Sequence, residues 1–165
     1  MVSSDMAKGS DHTLRHILAC SFVVLIVLSC SSLVQAATGN LAQGAAAYAW
    51  ASSVEKDRLS ADAAIDGNSA TRWSSAFSDP QWIAVDLGAV YSINHVVLNW
   101  ETAYGKDYRI EVSTNGTTWN PVFSVTNGNG GIDDLVFGAT SARYVRMWGI
   151  TRAGLNVGAP KCRRC

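Results

Sequence analysis

Histidine, cysteine and paired carboxylates build most hydrolytic and metal sites, and this chain places few of them where they could cooperate. His95 is the sole histidine beyond residue 16 and falls inside an apolar run, so a serine or cysteine nucleophile would lack a base. Cys162-Arg163-Arg164-Cys165 has the spacing of a zinc knuckle or redox pair. Its partner cysteines, Cys20 and Cys30, lie far upstream, so the pair reads as part of an unstructured basic tail. Glu55 and Glu101 are the glutamates that suit a glycosidase pair, whose carboxylates stand about 5–9.5 Å apart. Six Trp and five Tyr, against three His and four Cys, supply flat contact surfaces and few nucleophiles, bases or soft metal ligands. That balance suits binding better than catalysis.

The 165 residues, 48% of them apolar, are enough for one domain with a core and too few for two. Lys+Arg and Asp+Glu are equal at 13 each, so no global field draws in nucleic acid or an anionic surface. Arg15 and His16 precede an apolar run, Ile17 to Leu28, then Ser29-Cys30-Ser31-Ser32 and Val34-Gln35-Ala36-Ala37. This reads as a secretory signal peptide over 1–36, too short to span a bilayer, with small residues suited to cleavage near Ala36. The chain is therefore expected to be secreted. A lipid anchor at Cys30, where Val27-Leu28-Ser29-Cys30 loosely matches a bacterial lipobox, or an uncleaved leader is the alternative, and either would be the route to a membrane. Positions 37–161 hold no cysteine, so the fold does not depend on an internal disulfide.

Beyond residue 40 the apolar residues come in short runs separated by Gly, Asn, Asp and Ser, with no sustained helical period. The expectation is an all-β domain with strands over 45–51, 82–87, 91–100, 107–113, 118–124, 132–137 and 142–149. Alternation is clearest at Ile83/Val85/Leu87 and at Tyr108/Ile110/Val112, which buries one face of each strand. Asn115-Gly116 favours a tight hairpin turn, and Asn127-Gly128-Asn129-Gly130-Gly131 a looser reversal. Asn115-Gly116-Thr117 is also a glycosylation sequon, relevant in a eukaryotic secretory host. The regular strand spacing points to a β-sandwich or jelly roll.

Ala64-Ile65-Asp66-Gly67-Asn68, Thr71-Arg72-Trp73-Ser74-Ser75 and Pro80-Gln81-Trp82-Ile83-Ala84-Val85-Asp86-Leu87-Gly88 together resemble the discoidin, or factor V/VIII type C, domain. The closer likeness is to its bacterial branch, carbohydrate-binding module family 32. Leu98-Asn99-Trp100-Glu101, Tyr104-Gly105-Lys106, Glu111-Val112-Ser113 and Arg143-Tyr144-Val145-Arg146-Met147 continue the match in order, over Asn40 to about Arg152. The resemblance implies a galactose-binding-like jelly roll over 40–152, with end loops that bind a sugar unit of a glycan, and an atypical basic tail over 153–165.

A sugar offers hydroxyls in fixed directions on a ring with apolar C–H faces, so its site needs planar side chains and bidentate polar groups. Loop 52–60 carries Glu55, loop 72–80 carries Arg72 and Phe77, and loop 101–106 carries Glu101, Tyr104 and Lys106. The resemblance to chitosan-binding members implies that Glu55 and Glu101 hold amino or hydroxyl groups, with Arg72 and an aromatic near Phe77 completing the pocket. Tyrosine is expected where Phe77 stands. Two carboxylates also attract a cationic amino sugar, which makes an amino sugar the first expected ligand and a galactose-type glycan the second. Each residue has a plainer reading beside this one. Glu55 lies in the solvated cluster Lys56-Asp57-Arg58, Arg72 would pair with Asp66 or Asp86, and Tyr104 would pack over its own loop. Trp73, Trp82, Trp100 and Trp119 read as core or brace, and Trp50 as the one tryptophan near a contact loop.

The family also binds calcium, and Asp66, Asn68 and Thr71 around Gly67 form a turn able to aim oxygens at one point. The plainer reading is a metal-free Asx turn. Calcium-binding members add a glutamate from a final strand. Here Gly154-Leu155-Asn156-Val157-Gly158-Ala159-Pro160 stands in its place, so the usual last strand is read as missing and any calcium as weakened. Such a loss would leave an exposed sheet edge. The expected function is a secreted, non-catalytic carbohydrate-binding module. The alternatives are a fragment of a glycan-active hydrolase and an adhesion or lipid-binding discoidin domain, which the polar loops 52–60 and 101–106 disfavour.

Overall fold

Period-two alternation carries the backbone through seven strands in the computed structural model, which describes residues 39–153 and the backbone of 161–162. The expected leader over 1–36 and the tail beyond Ala153 otherwise lie outside the described residues, but Lys161–Cys162, in the stretch read as an unstructured tail, is a short strand whose backbone pairs with Trp73 and Ser74. The strands are β1 (Tyr48–Ala51), β2 (Trp73–Ser74), β3 (Gln81–Asn99), β4 (Gly105–Ser113), β5 (Asn120–Val125), β6 (Ile132–Arg152) and β7 (Lys161–Cys162). The main sheet is antiparallel in the order β1-β3-β6-β4-β5, and β2 pairs with β7. The remaining regular elements are short 3-10 turns at Leu41–Gln43, Asp57–Leu59 and Ala61–Ala64, so the domain is all-β as expected. The first strand starts at Tyr48 instead of residue 45, because 41–43 closes a 3-10 turn capped by the Asn40 side chain.

Two pairs of expected strands are single, bent strands. The runs 82–87 and 91–100 join in β3, and 132–137 and 142–149 join in β6. The sequence pattern breaks at Gly88, but the backbone passes through it as a bulge between the pairs Asp86↔Tyr144 and Tyr91↔Ala142. Gly88 sits at φ +81° and donates its N–H to Asp86 Oδ1 at 2.7 Å. A Cβ there would lie 2.7 Å from that of Ala46, so this position requires glycine. The first half of β3 is flanked by β1 and β6, whereas Tyr91–Asn99 pairs only with β6 among the described residues. A second register shift, between Ile93 and His95, leaves His95 on the surface, 2.6 Å from Asp134 Oδ1. The hairpin at Asn115-Gly116 is wider than a two-residue turn. Asn115 Oδ1 accepts from both Thr117 N and Thr118 N at 2.9 Å, and pairing resumes only at Asn120.

One apolar cluster joins the two halves of the long strands. Ile83, Val85, Ile110, Val112 and Met147 come from the flanked half, Ile93, Val96, Leu98 and Leu135 from the other. Trp73 and Trp100 belong to this core. A hollow of about 530 Å³ remains between the layers beside Ser92–Leu98, lined mostly by aliphatic side chains. Trp82 and Trp119 instead brace Arg146 on the opposite face of the sheet. The Arg146 guanidinium lies 4.1 Å from the Trp119 ring centre and 4.7 Å from that of Trp148, and it pairs with the buried Glu111. Trp50 is on this face too, edge-on to Trp82 and Tyr144, and not in the loop beside it.

Candidate functional site

The register of the main sheet brings the three polar loops to one end. Ala51, the end of β1, is opposite Ile83; Gln81, the start of β3, is opposite Gly149; and Arg152, the end of β6, is opposite Gly105, the start of β4. The segments 52–60, 72–80 and 101–104 therefore leave the sheet at the same edge, and Lys106, expected in the third loop, is instead the second residue of β4.

Glu55 is held by the neighbouring loop. Its backbone N–H donates to Ser74 O at 2.7 Å, and its Oε2 accepts from Ser74 Oγ at 2.7 Å. The second oxygen faces Lys56 Nζ at 3.7 Å, and the side chain is 17% exposed, so this is not a freely solvated charge. Further ties fix the same two loops. Ser53 Oγ donates to Gln81 Oε1 at 2.6 Å and accepts from Ala76 N at 2.9 Å, while Trp73 Nε1 donates to Ser53 O at 2.9 Å. The sequence reading missed Ser74, Ser53 and Gln81, small or neutral polar residues whose role depends on partners some twenty to thirty positions away.

Arg72 does not take the carboxylates offered to it as braces. Asp86 is engaged by Arg143, whose Nε and Nη2 donate to its two oxygens at 2.8 Å each. Asp66 accepts from Asn68 N at 2.8 Å and from Thr71 Oγ1 at 2.7 Å. The Nε of Arg72 is buried with no hydrogen-bond partner among the described residues, an unfavourable state for a guanidinium N–H. Phe77, on the same loop, is 59% exposed with nothing to satisfy on its ring. It offers a flat apolar face to the solvent.

The third loop is partly self-supporting. Glu101 Oε2 accepts from Thr102 N at 3.1 Å. Tyr104 lies against Gly130, where a Cβ would come within 2.7 Å of the ring, and its carbonyl accepts from Ala153 N at 3.0 Å. Its half-buried ring thus lies against the 127–131 reversal and not over its own loop. Lys106 is exposed, and its carbonyl accepts from Gly128 N at 2.7 Å. Asp107 beside it is held below the usual carboxylate range, chiefly by the hydrogen bond from Thr151 Oγ1 and then by Asn127 N–H. Arg152 reaches from this side to Asp79 of loop 72–80, with Nε 3.6 Å from Oδ2.

Asp66, Asn68 and Thr71 form a closed turn. Thr71 Oγ1 and N meet Asn68 O at 2.8 and 3.2 Å, and Asn68 Oδ1 accepts from Ala70 N at 3.0 Å. Asp66 is its one carboxylate, with both oxygens already accepting, and no group of three or more His, Cys, Asp or Glu gathers among the described residues. The large interlayer hollow is apolar and lies away from the loops, so the polar contacts favour the loop end as the site.

Residues 63–147 match a family model of the F5/F8 type C group, described as a NedA-like, galactose-binding domain. Among solved structures, chitosan-binding module 1 of a chitosanase/glucanase from Paenibacillus sp. IK-5 is 44% identical, with a TM-score of 0.71 over 77% of this chain and 96% of that one. Module 2 of the same enzyme, in complex with chitotriose, is 42% identical, with a TM-score of 0.71 over 76% and 96%. A Clostridium perfringens module in complex with GalNAc-β-1,3-galactose is 25% identical, with a TM-score of 0.67 over 76% and 96%. A polysaccharide lyase 8 family protein, HylA, from Enterococcus faecalis is 43% identical over 93 residues. That stretch is 52% of this chain, and the chain spans only 7% of the length of that relative.

Proposed function

The chain belongs to the F5/F8 type C family of NedA-like, galactose-binding domains, and from that membership we propose that it is an extracellular, non-catalytic module that binds sugar units of a glycan. One observation carries the reading most. At the loop end of the sheet, a fixed carboxylate on Glu55 stands in a loop tied to the one bearing Arg72, whose buried Nε has no partner. A fixed acceptor and an unsatisfied donor suit a ligand rich in hydroxyl or amino groups.

An amino sugar is the first ligand in this reading. Glu55 and Glu101 would receive its ammonium, Arg72 a ring or hydroxyl oxygen, and Phe77 an apolar ring face. Likeness to two chitosan-binding modules across nearly their whole length supports it. A galactose-type glycan is second, supported by the more distant relative that binds GalNAc-β-1,3-galactose. The match to a small part of a polysaccharide lyase fits a module cut from a longer glycan-active enzyme, with the chemistry residing elsewhere. Export through the leader over 1–36 belongs to the same proposal; among the described residues no helix is long and apolar enough to cross a membrane. Calcium at the 66–71 turn would brace that turn and take no part in sugar contact.

Titration calorimetry of the chain with chitotriose and with GalNAc-β-1,3-galactose tests the proposal. Micromolar-to-millimolar binding that is abolished by Glu55→Ala supports it. A folded chain that binds neither, or that releases reducing ends from chitosan, refutes it.

A further inference from the structure

Arg152 is the last residue of β6, and its backbone pairs with Gly105 at the start of β4, so it is built into the frame of loop 101–106. The next residue, Ala153, donates its N–H to Tyr104 O in the same loop. The Arg152 side chain, only 17% exposed, leaves that frame and crosses to Asp79, with Nε 3.6 Å from Oδ2. Asp79 belongs to the loop that carries Arg72 and Phe77. The other ties of that loop run the opposite way, to Glu55, Ser53 and Gln81, through Ser74, Ala76 and Ser78. One side of loop 72–80 is thus pinned by hydrogen bonds to loop 52–60 and to the start of β3, and the other is held by a charge pair to the end of β6 beside the third loop.

We propose that Arg152 is a positioning residue for glycan binding: by holding Asp79 it sets the span between loop 72–80 and loop 101–106. The inference rests on those loops being the glycan site as proposed above. A partly exposed ion pair at a sheet end contributes little to folding. Its effect falls on the relative placement of two contact surfaces, and a ligand senses that placement only when it touches both. A sugar unit that touches Arg72 and Phe77 on one loop and Glu101 on the other gains from the fixed span. A ligand held by loop 72–80 alone does not.

The experiment measures chitotriose by calorimetry and glucosamine by NMR titration, on the full chain and on Arg152→Gln, Asp79→Asn, the double variant and the charge swap Arg152→Asp/Asp79→Arg. Each single variant is expected to weaken chitotriose and glucosamine alike by about five-fold, the upper range for such a pair, while Tm stays that of the parent. The double variant loses no more than either single, and the charge swap recovers most of the loss. Unchanged chitotriose affinity in both singles overturns the inference. So does a double variant whose loss is the sum of the two. If the parent chain binds neither sugar, the glycan reading itself fails and this inference with it, an outcome visible before any variant is made.

Discussion

Ser74 grips Glu55 twice, accepting the Glu55 N–H at 2.7 Å and donating its hydroxyl to the carboxylate at 2.7 Å. The backbone half survives substitution and the hydroxyl half does not. Ser74→Ala is therefore expected to leave Tm nearly unchanged while weakening glycan binding about five-fold, the value of one hydrogen bond that fixes the acceptor. Glu55→Gln, which keeps the shape and removes the charge, is expected to cost more with an amino-sugar ligand than with a neutral one. Calorimetry on both ligand types checks the order, and equal losses would mean that the charge is not sensed.

Arg72 gives an opposite pair of signs. Because its buried Nε has no partner in the free chain, Arg72→Ala is expected to hold or raise Tm while lowering glycan affinity about ten-fold or more. A thermal melt and a titration on the same sample separate the two effects. A fall of several degrees in Tm would identify Arg72 as a brace instead.

Acid should weaken the fold through Asp86. Its carboxyl is held below the usual range, first by the hydrogen bond from Arg143, with burial opposing and the Gly88 N–H assisting. An acid with a depressed folded-state pKa stabilises the fold at pH values above its unfolded pKa of about 3.9, and that contribution is lost as the pH falls through the lower folded value. Tm is expected to change little between about pH 7 and 5 and to drop below about pH 4. Asp86→Asn should cost about 2–3 kcal/mol at neutral pH in urea denaturation and flatten part of that acid limb. A variant with the parent's full acid limb would show that other carboxylates carry it.

Calcium is expected to matter little. The 66–71 turn closes on its own hydrogen bonds around a single carboxylate, so millimolar calcium or EDTA should move Tm by no more than a degree or two and leave glycan affinity unchanged. A large calcium-dependent rise in Tm, lost in Asp66→Asn, would show a bound ion that draws ligands from elsewhere in the chain.

The all-β class and most strand positions were legible because alternation is a local signal, as at Tyr108/Ile110/Val112, all buried in β4. The continuity of β3 was not, since Gly88 looks the same in a loop and in a bulge until β6 is seen to pair on both sides of it. Glu55, Arg72 and Phe77 stood out by residue type in polar loops. Their supports did not: Ser74, Gln81 and the Asp79–Arg152 pair act across long sequence separations, and an arginine closing a strand carries no local mark of the loop it will reach. Trp50 was legible as a strand residue near the first loop, but proximity to a loop in sequence does not say which face of the strand its ring occupies.

The pairing of β3 with β6 also dictates when the domain can close. Strand β6 is central in the sheet yet is the last long strand in chain order among the described residues, and its final residues, Gly149 and Arg152, pair with Gln81 and Gly105. Until they leave the ribosome, β3 and β4 have no common neighbour and the loop end cannot form. Contacts of such separation make folding slow, on the order of milliseconds to seconds for all-β topologies. The domain therefore remains open until β6 is complete, and the loops at this end are set in place by the same step that completes the sheet.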